Sequence, residues 1–280
     1  MPAKKNNKNI TSSTRPFLKW AGNKFRIIDK IQEMLPKEGK RLIEPFAGSA
    51  AVFLNTNYER YLISDTNPDL INLFNSLKNE GDEFIKYCQR YFTKNNNTPE
   101  KYYAYREQFN KTTDIRKRGA LFIYLNRHGY NGLCRYNSKG GFNVPFGRYK
   151  KPYFPEKEML AFHHKAKRAT FKISGFENIM TKAKKGDVIY CDPPYVPLSA
   201  SANFTTYSSG GFIMEQQQQL SNLAETLAQR GIPVLISNHK TKDTEIFYQG
   251  AERQYFKVRR FISCNGNKRK HAGEVLALFS

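Results

Sequence analysis

Residues 187–198, DVIYCDPPYVPL, run from strand-forming residues straight into an acid, two prolines and a tyrosine. Val188, Ile189, Tyr190 and Cys191 show no polar alternation, the pattern of a short strand buried on both faces, as in a parallel sheet. Asp192 then falls at that strand's carboxyl end. Pro193 and Pro194 have fixed φ and no N–H, and each disfavours helix in the residue before it, so the chain leaves the sheet as a stiff, extended lip. In open α/β sheets, ligands bind at this edge. The lip offers a carboxylate, carbonyls with few local donors and the face of Tyr195, a set suited to a flat group bearing an N–H2. The alternative is a proline turn with a solvated acid. From average residue usage, the tetrapeptide arises by chance in roughly one chain in a thousand of this length, which favours the functional reading.

Working outward, KRLIEPFAG (40–48), RYLISD (60–65) and IPVLISN (232–238) repeat the strand-into-loop form. EQQQQLSNLAETLAQRG (215–231) reads as a helix closed by Gly231. FKVRRFIS (256–263) and EVLALFS (274–280) are expected to close the sheet. The class is therefore α/β with a doubly wound, parallel sheet. Residues 68–127 differ: PDLINLFNSLKN, GDEFIKYCQRYF and RKRGALFIYLNR have helical spacing and little strand signal, and a Gly- and Tyr-rich stretch follows to about residue 151. An inserted helical domain is the simplest account. There is no internal repeat, and the short run Gln216–Gln219 is expected on a helix surface.

The chain of 280 residues carries 46 Lys plus Arg against 24 Asp plus Glu, a formal charge of +22 that favours a polyanionic partner such as nucleic acid. The charge is clustered: residues 127–155 hold six basic residues and no acid, and residues 253–271 hold seven. Cys88, Cys134, Cys191 and Cys264 have no paired spacing and read as reduced thiols; the five histidines form no i, i+4 pair, so no metal is expected. The start, MPAKKNNKNITSST, is basic and polar, which predicts a disordered arm over 1–14 and no secretory signal. No apolar run approaches a membrane span, so no membrane partner is expected.

The sheet edge should also hold a cofactor. Phe46, Ala47, Gly48, Ser49 and Ala50 follow a strand, and their small members let backbone amides approach a ligand at a helix start. Asp65 ends the next strand, where an acid can accept a hydrogen bond from a ribose hydroxyl. With no lysine-bearing phosphate loop, the cofactor is expected to be an adenosine compound without a triphosphate. FLKWAGNK (17–24) sets the only tryptophan, Trp20, among cationic and small residues, consistent with a loop lining that ligand.

Together FLKWAGNK, EPFAGSA, LISDTNPDL, LNRHGYNGLCRYN, FNVPFGRYKKPYFP, YCDPPYVPLSASANFTTY and PVLISNH resemble the DNA adenine methyltransferases of the Dam type, in family order from about Arg15 to the end. One departure is Ala50, which stands where the family pattern has its last glycine and is expected to crowd the cofactor's methionine end slightly. The resemblance implies a methyltransferase-type, Rossmann-like catalytic domain over 15–67 and 152–280. A target-recognition domain with a hairpin loop would occupy 68–151. It further implies S-adenosylmethionine as methyl donor and the N6 amine of adenine in double-stranded 5′-GATC-3′ as acceptor. The chain would be a monomer in solution in a bacterial or phage cytoplasm.

Carried over by residue, Trp20, Lys24, Phe46, Gly48, Asp65 and Asp192 would hold the cofactor. Asp192, Pro193, Pro194 and Tyr195 would act on the base. Adenine's amine is a poor nucleophile and lies out of reach inside a duplex, so the base must be flipped. Asp192 and the Pro193 carbonyl can accept its two N–H bonds while Tyr195 stacks on the ring. Glycines bracket Tyr130 and Asn131, which suits a loop tip that reads DNA, and Arg135 follows within reach of a groove. The likeness gives reading roles to Tyr130, Asn131, Leu133 and Arg135, with Asn137, Lys19, Arg148, Tyr149, Lys150 and Lys151 as further groove or phosphate contacts. Two other classes stay open: an amino-methyltransferase with another acceptor base, and a DNA-binding protein on a degenerate methyltransferase fold.

Overall fold

The computed structural model describes residues 13–196, 212–259 and 271–280. The arm up to residue 12, Cys264 and most of the second basic cluster lie outside the described residues. Seven strands, β1 (Arg41–Glu44), β2 (Arg60–Asp65), β3 (Ala169–Ile173), β4 (Asp187–Cys191), β5 (Val234–His239), β6 (Glu252–Arg259) and β7 (His271–Phe279), form one sheet in the order β3-β2-β1-β4-β5-β7-β6. The first five are parallel, and β7 runs antiparallel between β5 and β6. The strands foreseen from sequence are present among the described residues, the one expected at 256–263 as β6 up to Arg259, with 260–263 outside the described residues. β3 was not foreseen: ATFKI alternates buried Ala169 and Phe171 with exposed Thr170 and Lys172, the pattern of an edge strand wet on one face.

Side chains of the central strands alternate between two hydrophobic layers. Leu42, Ile63, Val188 and Leu235 face one side, and Ile43, Leu62, Ile189 and Ile236 face the other. Both sides are covered, which is why β4 is buried throughout and reads as an unbroken apolar run. On the first side lie α1 (Ile28–Met34), α2 (Ala51–Asn55), α3 (Pro68–Glu80) and α7 (Glu156–Ala166), where Phe53, Phe74 and Phe162 meet Phe171 of β3 with ring centroids 5.5–6.0 Å apart. On the second lie α8 (Phe176–Met180) and α9 (Met214–Gln229), through Ile179, Leu220 and Leu227. A short α10 (Lys242–Phe247) follows β5.

Between α3 and α7 come α4 (Asp82–Gln89), α5 (Pro99–Lys111) and α6 (Ile115–His128), then an irregular segment pinned by bridges Gly129–Phe146 and Tyr136–Phe142. The caps explain where these helices start. Asn67 accepts from the Asp69 and Leu70 amides at 3.0 and 3.2 Å with Pro68 at the first turn, Thr98 precedes Pro99 in the same way, and Asp114 accepts from the Lys117 amide.

β1 and β4 are neighbours, yet the chain leaves β1 towards β2 and leaves β4 towards β5. Connections diverge there and open a crevice at the strands' carboxyl ends. The opposite ends are tied by Arg41, which donates to both Asp187 oxygens at 2.9 and 2.6 Å. One expectation is corrected: Gln217, within the run placed on a helix surface, is 1% exposed, because α9 turns that position inward against Pro194 and Asn238.

Candidate active site

A cavity of about 1160 Å³ occupies this crevice, and its wall includes Trp20, Lys24, Phe46, Gly48, Asp65 and residues 192–195. Asp65 closes β2. Its Oδ2 accepts from the Gly48 amide at 3.1 Å and its Oδ1 from the Asn67 amide at 2.9 Å. Burial raises its pKa, and these amides pull it back. Gly48 has φ +46°, and a Cβ there would come within 3.0 Å of Trp20 Nε1, so the loop and the indole are in close contact. Beside them Phe46 stacks on Phe176 at 5.7 Å, with Phe212 edge-on to both. Phe176 and Phe212 were not foreseen, since neither belongs to a motif with chemical meaning of its own.

Ala50 also differs from expectation. It is fully buried and lies outside the cavity wall, so its methyl does not crowd a ligand there. Its φ of 57° and ψ of 36° are left-handed, a conformation that costs a non-glycine residue about 1–2 kcal/mol. A glycine at this place would take the same conformation without that cost.

Asp192 stands just past β4 and pairs with Lys24 Nζ at 2.8 Å. The same ammonium donates to the Gly22 carbonyl at 2.6 Å and sits 4.5 Å from the Tyr195 ring centroid. Burial raises the Asp192 pKa, and Lys24 opposes it. The Tyr195 hydroxyl shares a hydrogen bond with Ser237 Oγ at 2.6 Å, which leaves the ring face towards Lys24. The Pro194 carbonyl accepts from Gln217 Nε2 at 2.7 Å, Gln217 Oε1 accepts from Asn238 Nδ2 at 3.0 Å, and Asn238 Oδ1 accepts from the Val196 amide at 3.0 Å. This buried amide pair rivets the lip to α9 and β5. Among the described residues the Pro193 carbonyl accepts no hydrogen bond, so it stays available as an acceptor beside Asp192.

Glu44, at the end of β1, was also missed. It is 2% exposed, lines the cavity, and one of its oxygens has no hydrogen-bond partner among the described residues. Burial pushes its pKa up to about 8, with Lys165 and the Phe53 amide pulling down and Asp192 pushing up. The consequence is a pH-dependent stability. Below the ordinary value of 4.5 both folded and unfolded chains hold the proton; between 4.5 and about 8 only the folded chain does, so stability declines as pH rises through that window. The ligand-free Glu44→Gln protein is therefore expected to lose less stability than wild type between pH 5 and pH 8. Melting temperatures of both at a series of pH values check this, and a difference that stays constant contradicts it.

A second surface flanks the cavity. Tyr130 is 52% exposed, and its amide is held by the Pro145 carbonyl at 2.9 Å. Asn131 has φ 53°, which asparagine tolerates, and its amide donates to Tyr149 Oη at 3.0 Å. Leu133 packs partly against the core. Arg135 is exposed and steadied by Asn143 Oδ1 at 2.8 Å, while Asn137 uses its side-chain oxygen to hold the turn at Lys139 and Gly141. Lys19 Nζ lies 4.2 Å from the Tyr149 ring centroid; burial and the nearby Arg127 lower its pKa. Arg148, with φ 54°, Lys150 and Lys151 are exposed. Asn126 of α6 joins this surface to the cavity loop: it accepts from the Lys19 amide at 2.9 Å and donates to the carbonyls of Lys19 and Gly132 at 2.7 and 3.2 Å.

Comparison with known proteins shows the family of the chain. A model of the family described as D12 class N6 adenine-specific DNA methyltransferase matches residues 20–262. A DNA adenine methylase of Escherichia coli (strain K12) is 52% identical over 265 residues, covering 95% of each chain. One from Vibrio cholerae serotype O1 (El Tor Inaba N16961) is 52% identical over 267 residues, covering 95% of this chain and 96% of its own. One from Haemophilus influenzae is 51% identical over 267 residues, covering 95% and 93%.

Proposed function

The chain belongs to the D12 class of N6 adenine-specific DNA methyltransferases, and within that class we propose that it methylates the adenine of 5′-GATC-3′ in duplex DNA after flipping that base out of the helix. The observation that carries the flipping step is the pairing of two acceptors, Asp192 and the Pro193 carbonyl, with the face of Tyr195 inside a cavity. An adenine inside a duplex does not reach such a recess. The reading of GATC is supported by the segment from Asn126 to Asn137, which resembles the Dam-type family where it reads DNA, while the net charge of +22 supports attraction to DNA of any sequence. In this reading residues 68–151 recognise DNA, residues 15–67 and 152–280 form the catalytic body, and the chain acts as a cytoplasmic monomer. Among the described residues no helix is long and apolar enough to cross a membrane.

S-adenosylmethionine, when bound, supplies an electrophilic methyl group on a sulfonium. The cavity fits it: the close approach at Gly48, the aromatic slot of Phe46 and Phe176 and the carboxylate of Asp65 suit a flat adenine with a ribose. Trp20, Lys24, Phe46, Gly48 and Asp65 would hold it. On the acceptor side, the incoming amine replaces Lys24 as the donor to Asp192. Asp192 and the Pro193 carbonyl take its two N–H bonds and hold its lone pair out of the ring plane, and Tyr195 stacks on the base. Asp192 is then placed to receive the proton that the amine releases.

Two measurements test these assignments. Gly48→Ala is expected to lower Tm by roughly 2–8 °C, since a left-handed alanine costs about 1–2 kcal/mol, and to weaken S-adenosylmethionine binding as read by the emission of Trp20. A variant with unchanged Tm and unchanged titration contradicts the close contact at Gly48. With 2-aminopurine at the target position, cofactor-product-bound enzyme should raise the analogue's fluorescence several-fold above that of the free duplex. An unchanged signal overturns base flipping.

A further inference from the structure

Tyr136 lies between Arg135 and Asn137, and its hydroxyl donates to Asp69 Oδ2 at 2.7 Å. Asp69 is 6% exposed and also accepts from Arg118 of α6, through Nε and through Nη2 at 3.1 Å, while Arg118 Nη1 donates to the Phe109 carbonyl at 2.7 Å. The buried carboxylate is thus held rigidly and has three donors. Its own amide donates to Asn67 Oδ1 at 3.0 Å, and the Asn67 amide donates to Asp65 Oδ1 at 2.9 Å. An unbroken hydrogen-bonded chain therefore runs from the acid assigned to the ribose to the residue between Arg135 and Asn137. The Asn67 side chain adds a parallel contact to Cys134 Sγ at 3.8 Å.

We propose that Asp69 is a positioning residue: through Tyr136 it fixes the recognition hairpin to the cofactor strand, so that occupancy of the cofactor site and discrimination of the DNA site are thermodynamically linked. The proposal rests on the reading of residues 130–137 as the DNA-reading loop. Within the relay the Tyr136–Asp69 bond is the short, charge-assisted link, whereas the parallel contact from Asn67 to Cys134 Sγ is long, at 3.8 Å. Tyr136 keeps its edge contact with Phe142 at 5.7 Å if the hydroxyl is removed, and the Asp69–Arg118 pair stays whole, so the hydroxyl serves to tether the hairpin and is dispensable for folding.

Linkage requires reciprocity: the factor by which cognate duplex tightens S-adenosylhomocysteine must equal the factor by which S-adenosylhomocysteine tightens the duplex. In wild type both ratios are expected to exceed one and to agree. In Tyr136→Phe both should fall towards one, by about threefold or more, and discrimination between GATC and its single-base variants should narrow, while Tm and the affinity for S-adenosylhomocysteine without DNA stay near wild type. Asp69→Asn should narrow the same ratios, which ties the effect to the acceptor. A Tyr136→Phe enzyme with wild-type coupling and discrimination overturns the proposal, as does one that loses Tm and free cofactor affinity together, since that marks a merely structural bond. Arg135→Ala separates the two failures. If it too leaves discrimination intact, the reading of the loop fails; if it impairs discrimination and Tyr136→Phe does not, only the tether fails.

Discussion

Asp192→Asn is expected to lower the rate of methyl transfer by on the order of 10³-fold or more while leaving duplex affinity within about twofold of wild type. The carboxylate is the charged acceptor at the lip, and the Pro193 carbonyl beside it carries no other hydrogen bond among the described residues. An amide in its place keeps the volume and one oxygen but turns the other position into a donor that faces the amine's own N–H. Asparagine also leaves Lys24 an acceptor, so the buried ammonium is not stranded as it is in Asp192→Ala. Affinity should survive because phosphate contacts dominate DNA binding, and none is assigned to the lip. Single-turnover rates and duplex dissociation constants measured side by side check this. Substantial turnover by either variant removes Asp192 from the mechanism.

Arg135→Ala is expected to lose about 1–3 kcal/mol of discrimination at one base pair of the site, a drop of roughly fivefold to more than a hundredfold in the ratio of cognate to near-cognate kcat/KM. Arg135 is exposed next to a glycine-bracketed tip, and its guanidinium is steadied by Asn143 through Nε at 2.8 Å and through Nη2 at 3.4 Å, so a guanine edge is met by Nη1 and by Nη2 once that longer contact is given up. A phosphate contact behaves differently: all sites weaken together, and the salt slope falls by roughly one unit. Measured at matched salt on GATC and each single-base variant, an unchanged ratio at every position excludes base reading by Arg135.

Much of the fold was legible because parallel strands buried on both faces leave unbroken apolar runs that end in polar loops. The runs before Asp65 and Asp192 placed both acids at strand carboxyl ends without any knowledge of contacts; the structure sets those ends on β2 and β4, the two strands that flank β1. β3 escaped because an edge strand with one wet face carries a weaker signal than the run in β4. Glu44 was passed over because an acid at a strand end looks the same whether it is hydrated or sealed, and only burial in the finished fold, against the pull of Lys165 and the Phe53 amide, raises its pKa to about 8. Gln217 was misread for a related reason. Four consecutive glutamines look like a solvated helix face, and which one turns inward depends on Asn238 and Pro194, distant in sequence. Tyr136 and Asp69 meet across 67 positions, a pairing that no local pattern encodes.

The central claim is that the methyl group goes to the adenine of GATC. An unmethylated plasmid incubated with the enzyme and S-adenosylmethionine, then cut with a GATC endonuclease blocked by adenine methylation, tests it most directly. Complete protection, lost when Asp192→Asn replaces wild type, is the result expected. Full digestion of the plasmid after incubation with an enzyme that demonstrably methylates DNA contradicts GATC as its site.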